Sequence, residues 1–341
     1  MDTTLPHRFI ELSLYSLKHM QNQPFQLNQQ SLQQVGTPEM HPQTLQLRTQ
    51  PILLKPRHEE SMVAAVDTST IKIGETSAGM LIAVRGANAW RQNRNYRYMR
   101  FGPFIFHLTE ENKNDVYAIL QRACFETPRG DSHGSFPNIL QMPMRMASLL
   151  ERWLQAMLSR TISRGQILFD GSLTSGTGDA PTSLIREILA NARKRNTTVL
   201  AFSKMTNLRA NGQLITDLSF EHKPPYLLEA IGMRPKPPMI LLGDVFVAKL
   251  TKGSYAFRLD IDREIAIEQK IEAVEKLLGN DLVSQSYPET LRLAHILCTF
   301  TANEVIAMQH FVTRRCGLRL VNRPDMHKLL FGPFGRGEYC S

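Results

Sequence analysis

The chain has 341 residues, 42% of them hydrophobic, and carries 40 lysines and arginines against 31 aspartates and glutamates, a net charge of +9. This composition supports a buried core and excludes a wholly disordered protein. No apolar run approaches the ~20 residues of a membrane span, and the start of the chain lacks the apolar block of a signal peptide. The four cysteines form no C-x-x-C pair, so neither a zinc ribbon nor a disulfide framework is expected. We therefore expect a cytoplasmic protein whose basic surface favours a polyanionic partner.

The first part of the chain differs in composition from the rest. Residues 21–50 contain ten glutamines and scattered prolines, without a helical or strand-like apolar period. Residues 18–57 are therefore predicted to be irregular.

From residue 60 onward the apolar spacing predicts strands first, then alternating strands and helices, then helices. This order indicates a mixed α/β sheet with helices packed on it. The predicted elements are a hairpin of Met62–Val66 and Met80–Val84, strand Phe101–Leu108, helices Thr109–Cys124 and Met144–Leu158, strand Gln166–Phe169, helix Pro181–Lys194, strands Thr198–Ser203, Met239–Leu242, Val245–Lys249 and Tyr255–Asp260, helix Glu264–Leu278, a helix opening at Ser286 with a capping box to Glu289, and helix Ala302–Thr313.

Two aspartates follow apolar, strand-like runs and precede small polar residues. Asp67 comes after Val63–Val66, and Asp170 comes after Ile167–Phe169. The carboxyl ends of strands in an α/β sheet form the rim where ligands bind, and carboxylates there are suited to a divalent cation. An aspartate at a strand end also commonly starts a turn, so both interpretations stay open.

A third carboxylate, Glu151, lies on the predicted helix Met144–Leu158. At about 100° per residue it falls at the edge of the apolar arc, from which it would reach over the sheet rim. Periodicity alone favours a boundary glutamate that pairs with Arg145 or Arg152.

Three further side chains are candidates for the same cleft. His295 and Tyr287 are eight residues apart, an offset of about 80° on a helix, so both would face one side. Lys204 follows the predicted strand Thr198–Ser203 and would neutralise a phosphate there. A core histidine and a surface lysine are the common alternatives.

Four arginines recur every three residues among aromatic side chains: Arg91, Arg94, Arg97 and Arg100. Arginine forks bind phosphates and aromatic faces stack on bases, so this segment is a candidate nucleic-acid-binding surface. A solvated basic loop would have the same pattern.

Taken together, these motifs resemble the NurA family of archaeal and bacterial DNA-end nucleases. Asp-Gly-Ser-Leu after a strand and Tyr-Pro-x-x-Leu-x-x-Ala-His near the C-terminus form the most specific pair. The resembling pieces occur in family order and are Val63–Ser69, Ile167–Leu173, Ala201–Lys204, Tyr255–Arg258, Tyr287–Leu291 and Ala294-His295.

The resemblance implies an RNase H-like mixed β-sheet flanked by helices, with an added helical part. It also implies a manganese-dependent nuclease, exonucleolytic with additional endonuclease activity on single strands, that processes DNA ends in recombination and repair. A HerA-type hexameric ATPase and a second copy of the chain would be its partners. The expected division is a Gln-rich variable segment at 1–57, the nuclease domain at 58–320 and a C-terminal tail at 321–341.

By motif match, four residues would hold Mn²⁺ or Mg²⁺, and Lys204 and Tyr287 would be supporting catalytic residues. Carboxylates with one imidazole suit these cations better than zinc. The four implied metal ligands are Asp67, Glu151, Asp170 and His295.

Two other functions fit the same sequence. One is an inactive NurA-like module that binds DNA or docks on an ATPase, and the other is a general nucleic-acid binder that uses Arg91–Arg100. The intact acidic set favours the nuclease, because a pure binder gains nothing from carboxylates that face a phosphate.

Overall fold

The computed structural model describes residues 46–316, except 49, 126–136, 207, 211–212, 218–221, 234 and 236, together with residue 320. Most of the Gln-rich segment and the tail at 321–341 therefore lie outside the described residues. The strands are β1 (Gln46–Leu47), β2 (Ile52–Leu53), β3 (Val63–Glu75), β4 (Gly79–Gln92), β5 (Asn95–Thr109), β6 (Gln166–Asp170), β7 (Thr174–Ser175), β8 (Thr198–Ser203), β9 (Arg209–Ala210), β10 (Gln213–Leu214), β11 (Tyr226–Ile231), β12 (Ile240–Leu241), β13 (Gly243–Lys249), β14 (Phe257–Asp262), β15 (Val283–Ser284) and β16 (Tyr287–Pro288). The helices are α1 (Lys113–Phe125), α2 (Met142–Thr161), α3 (Thr182–Lys194), α4 (Ile267–Asn280), α5 (Glu289–Cys298) and α6 (Ala302–Cys316).

One mixed sheet forms the centre of the fold. Its strand order is β1-β11-β13-β14-β8-β6-β3-β4-β5, and β2 also pairs with β11. β6 runs parallel to both β3 and β8, whereas β3, β4 and β5 form an antiparallel meander. This arrangement, with helices on both faces, confirms the predicted RNase H-like mixed sheet.

The alternation of side chains along β3 divides the core into two layers. Val63 and Ala65 pack in the layer that contains residues of α4 and α5. Ala64 and Val66 pack in the layer with α2 and α3. Asp67 comes next in this alternation, so its side chain lies on the α5 face of the sheet.

Three helices cover the far end of the β3–β4–β5 meander, α1 and α2 on one face and α6 on the other. Tyr117 of α1 packs with Met146 of α2 against β4, and Met308 of α6 packs against Ile73 and Leu81 on the other face. The sequence predicted these three helices, at Thr109–Cys124, Met144–Leu158 and Ala302–Thr313. No helix among the described residues is long and apolar enough to cross a membrane.

The helix predicted from Ser286 begins later than expected. Tyr287 and Pro288 form a short strand, and α5 starts at Glu289. The Ser286 hydroxyl does not cap the helix, because it accepts hydrogen bonds from the backbone N–H groups of Leu250 and Thr251. The predicted capping box is therefore wrong.

Three strand predictions also need correction. The predicted hairpin strands Met62–Val66 and Met80–Val84 are too short, because β3 continues to Glu75 and β4 continues to Gln92. Residues 46–47 and 52–53, predicted to be irregular, pair with β11, a strand that the sequence analysis missed. β12 pairs with β7 in a separate two-stranded sheet.

Candidate active site

The two aspartates meet where β6 ends. Val66 of β3 pairs with Phe169 of β6 in parallel register, so the next positions along the two strands are Asp67 and Asp170. Asp67 does not end its strand, as the sequence predicted, but is the fifth residue of β3. The rim exists because the chain leaves the sheet after Asp170, at Gly171, whose φ of +114° side-chain-bearing residues rarely adopt.

Helix α5 places an imidazole on the first of these carboxylates. His295 Nδ1 lies 2.6 Å from Asp67 Oδ2, and the backbone N–H of Thr68 donates to the other oxygen at 2.7 Å. Burial raises the pKa of Asp67, and the negative charge of Asp170 raises it further, although both hydrogen bonds oppose the shift. Asp67 is therefore a desolvated carboxylate next to a second one.

Helix α2 supplies the third carboxylate from the other face of the sheet. Glu151 is half-buried, and its Oε1 accepts a hydrogen bond of 2.8 Å from Gln155 Nε2. Burial raises the pKa of Glu151 to about 7; Arg152 opposes this shift, and the charges of Asp67 and Asp170 add to it. Glu151 therefore lies near enough to Asp67 and Asp170 for their charges to act on it.

Lys204 and Tyr287 line the same site. Lys204 Nζ lies 2.7 Å from Asp170 Oδ2 and 5.7 Å from the centre of the Tyr287 ring. The Tyr287 side chain is buried, and its hydroxyl has no hydrogen-bond partner among the described residues. Burial and the charges of Asp170 and Asp67 raise the pKa of Tyr287, so its hydroxyl stays protonated and is a free donor.

Two residues at the site were missed by the sequence analysis. Gln155 is wholly buried and receives a hydrogen bond of 2.6 Å from Arg152 while it donates to Glu151. Cys298 is wholly buried at the end of α5, one turn beyond His295. Helical spacing of three or four residues from a candidate ligand is the signal that would have identified both.

A buried ion pair holds the loop that follows Asp170. Both carboxylate oxygens of Asp260 accept hydrogen bonds of 2.7 Å from Arg258, and Asp260 Oδ2 also accepts the backbone N–H of Leu173 at 3.0 Å. The Ser203 hydroxyl donates to the carbonyl of Gly171 at 2.8 Å. These contacts fix the turn and so the position of Asp170.

The arginine segment is a β-hairpin and not a loop. Arg91 donates to the carbonyl of Asn280 at 2.8 Å, and Arg100 pairs with Glu304 at 3.1 Å. Arg94, in the turn, and Arg97 are exposed and form no ion pair within the described part of the chain. Because alternate residues of a strand face opposite sides, Arg97 and Arg100 lie on different faces. The arginines therefore do not form one continuous stripe.

The donor set fits a hard divalent cation. Carboxylates from β3, β6 and α2 converge, and a cation among them would relieve the repulsion and desolvation that raise the pKa of Asp67 and Glu151. The unpartnered hydroxyl of Tyr287 is available to an oxygen of a bound water or substrate. Carboxylate oxygens are the protein ligands that suit Mn²⁺ and Mg²⁺.

No protein-family model matches this sequence, and no curated protein does. The fold is similar to the crystal structure of the NurA nuclease from Sulfolobus solfataricus, with a TM-score of 0.50 and 14% identity over 78% of this chain and 88% of that one. The chain has a NurA-like fold. A second NurA crystal structure gives a TM-score of 0.42 and 10% identity over 79% and 91% of the two chains. The crystal structure of endonuclease V from Bacillus subtilis gives a TM-score of 0.36 and 12% identity over 77% of this chain and 88% of that one.

Proposed function

We propose that this protein is a divalent-cation-dependent nuclease that hydrolyses phosphodiester bonds in DNA. The observation that carries the proposal is the convergence of Asp67, Glu151 and Asp170, from three different elements, beside His295 and Lys204. Titratable groups whose pKa is shifted by burial and by neighbouring charges, as for Asp67 and Glu151, are typical of functional sites. The NurA-like fold supports the same function.

The chemistry follows from the residue types. Asp67, Glu151, Asp170 and His295 would hold Mn²⁺ or Mg²⁺, which supplies an activated water and stabilises the leaving oxygen of an in-line displacement. Lys204 pairs with Asp170 and is placed to neutralise charge on the scissile phosphate. The Tyr287 hydroxyl, which has no partner among the described residues, would donate a hydrogen bond to the substrate or to a bound water.

The substrate and partners are proposed from the sequence resemblance. We propose that residues 58–320 form a nuclease domain that acts on DNA ends in recombination or repair. A HerA-type hexameric ATPase and a second copy of this chain would assemble with it, and Mn²⁺ would be the preferred ion.

Cleavage of end-labelled duplex DNA tests the proposal. We expect cleavage by the full-length protein in Mn²⁺ and its loss in EDTA. The double variant Asp67→Ala, Asp170→Ala should lose cleavage while its circular dichroism spectrum stays that of a folded protein. The matched control is Asp115→Ala, Glu268→Ala, which removes two exposed carboxylates elsewhere and should cleave normally.

Full activity in the folded Asp67→Ala, Asp170→Ala protein would overturn the proposed site. Absence of cleavage by the folded wild-type protein with Mn²⁺ or Mg²⁺, on both single and double strands, would favour the inactive DNA-binding or ATPase-docking module instead.

A further inference from the structure

Cys298 brings a sulfur ligand to the pair of Asp67 and His295. One ligand atom from each of these three residues lies within 4.8 Å of the others. Within the part of the chain that the structure describes, no other group of three or more histidine, cysteine, aspartate or glutamate ligand atoms is this compact. Glu151 and Asp170 are not members of this group; Glu151 bonds to Gln155 and Asp170 pairs with Lys204.

The ligand types of this group differ from those of the carboxylate site. One oxygen, one imidazole nitrogen and one sulfur form a softer set than three carboxylates. Sulfur and imidazole ligands favour Zn²⁺ over Mn²⁺. In the Irving–Williams order of affinities, Mn²⁺ is the weakest-binding ion. Asp67 and His295 therefore belong to two ligand sets with different metal preferences, one completed by carboxylates and the other by Cys298.

We propose that Asp67, His295 and Cys298 form a binding site for a thiophilic divalent cation of the Zn²⁺ type. On binding, the Cys298 thiol and the hydrogen bond between His295 Nδ1 and Asp67 Oδ2 each release one proton to solvent. The cation is then held by a thiolate, a carboxylate and a neutral imidazole that keeps its proton on Nε2. No electrons are transferred. Three protein ligands leave one position for water, as in zinc sites that stay open on one side.

The surroundings of the three residues permit this arrangement. The Cys298 Sγ donates to the carbonyl of His295 at 3.2 Å, a weak contact within the last turn of α5 that the thiol can give up. The His295 side chain is 49% exposed, so a cation and its water can reach the site from solvent. Tetrahedral zinc with ligand bonds of about 2.0–2.3 Å sets its ligands about 3.3–3.8 Å apart, which is inside the 4.8 Å limit within which the three ligand atoms lie.

Occupancy of this site would compete with the proposed nuclease. Asp67 and His295 belong to both ligand sets, so a Zn²⁺ ion held by Cys298 denies them to Mn²⁺. This consequence rests on the proposed function, whereas cation binding by the three residues does not. The site would thus make cleavage sensitive to thiophilic metals.

Cobalt spectroscopy on the full-length protein tests the binding. Co²⁺ in place of Zn²⁺ gives a thiolate-to-cobalt charge-transfer absorption only when sulfur is a ligand. We expect this absorption to saturate with one Co²⁺ per chain and to disappear when Zn²⁺ is added. It should be lost in Cys298→Ser and kept in Cys124→Ser, Cys316→Ser, Cys340→Ser, which retains Cys298 as its one cysteine.

Two outcomes would overturn the proposal. One is the absence of the absorption in the folded triple-serine variant, and the other is its persistence in Cys298→Ser. If Cys298→Ser does not fold, the triple-serine variant still decides the question, because any sulfur signal there comes from Cys298. His295→Asn in that background should also abolish the signal.

Inhibition is measured separately. Each variant's cleavage is compared with its own rate in Mn²⁺ alone, and the Zn²⁺ concentration for half-inhibition is determined. We expect this concentration to rise by about tenfold or more in Cys298→Ser. Equal Zn²⁺ sensitivity would overturn the competition. If the wild-type protein does not cleave at all, the nuclease proposal fails, and the cobalt spectra still test the cation site.

Discussion

Asp67 Oδ2 and His295 Nδ1 lie 2.6 Å apart, although 228 positions separate the two residues in the sequence. Asp67 comes from a central strand of the sheet, and His295 comes from the helix that packs on it. The backbone N–H of Thr68 donates to the other carboxylate oxygen, Asp67 Oδ1, and so fixes the orientation of the carboxylate. Oδ2 is then the oxygen that faces the imidazole. This contact joins the sheet and helix α5 at the candidate active site.

His295→Asn should reduce Mn²⁺-dependent cleavage by about 100-fold or more, because the site loses an imidazole. The melting temperature should change little, since about half of the His295 side chain is exposed. His310→Asn is the matched control, because His310 is also exposed and lies on α6. Cleavage at the wild-type rate in folded His295→Asn would remove this residue from the mechanism.

Gln155 is expected to position Glu151. Gln155→Leu keeps a similar volume but removes the donor to Glu151, so the Mn²⁺ concentration for half-maximal cleavage should rise by about 10–100-fold. A titration of the cleavage rate with Mn²⁺ measures this effect. Ser159→Ala is the control, because Ser159 is buried on the same helix and its hydroxyl donates to the carbonyl of Ala156 within its own turn. A lower melting temperature with an unchanged Mn²⁺ requirement would show that Gln155 is only structural.

The sequence predicted the fold well where its signals are periodic. The apolar arc of α2 placed Glu151 at the edge of the buried face, where its side chain is half-buried. The short apolar run before Asp170 also marked the end of a real strand. These are local properties, and they are readable from one sequence. The helical offset predicted between Tyr287 and His295 is wrong, because Tyr287 lies in the short strand β16 and α5 begins only at Glu289.

Features that depend on pairing between distant segments were not predictable. Asp67 seemed to end a strand because polar residues follow it, yet β4 pairs with β3 through this region and keeps it extended. The arginine spacing of three suggested one surface, but on strands that spacing alternates faces. Pairing with β4, and not the segment itself, keeps β3 extended beyond Asp67, whereas the alternation of faces follows once the arginines are known to lie on a strand.

Lys204 should influence metal binding and catalysis in opposite directions. Lys204→Met removes a positive charge 2.7 Å from Asp170, so Mn²⁺ should bind more tightly by calorimetry. Single-turnover cleavage at saturating Mn²⁺ should nevertheless fall by about 100-fold, because no cation then neutralises the scissile phosphate. Lys204→Arg preserves the charge and should leave Mn²⁺ affinity near the wild-type value. Weaker Mn²⁺ binding in Lys204→Met would contradict this role.

Glu304 should make stability depend on acid pH. A hydrogen bond from Arg85, followed by one from the backbone of Thr301, lowers the pKa of Glu304 from 4.5 to about 2. Its folded-state pKa is depressed, so its contribution is complete above pH 4.5 and is lost as the pH falls towards 2. Urea denaturation should show a smaller loss of unfolding free energy over this range in Glu304→Gln than in the wild type. Identical slopes would refute the contribution of this ion pair.

Arg94 and Arg97 are the arginines of the hairpin that are free to bind phosphates, because Arg91 and Arg100 already have protein partners. The variant Arg94→Ser, Arg97→Ser should weaken DNA binding at all sequences and lower the slope of log K against log salt by about 2, one for each phosphate contact. Lys55→Ser, Lys252→Ser removes the same charge from other exposed positions and should leave the slope unchanged. Fluorescence anisotropy with labelled DNA, across a series of salt concentrations and in EDTA to prevent cleavage, measures both. Equal slopes in the two variants would mean that net charge, and not this hairpin, accounts for DNA affinity.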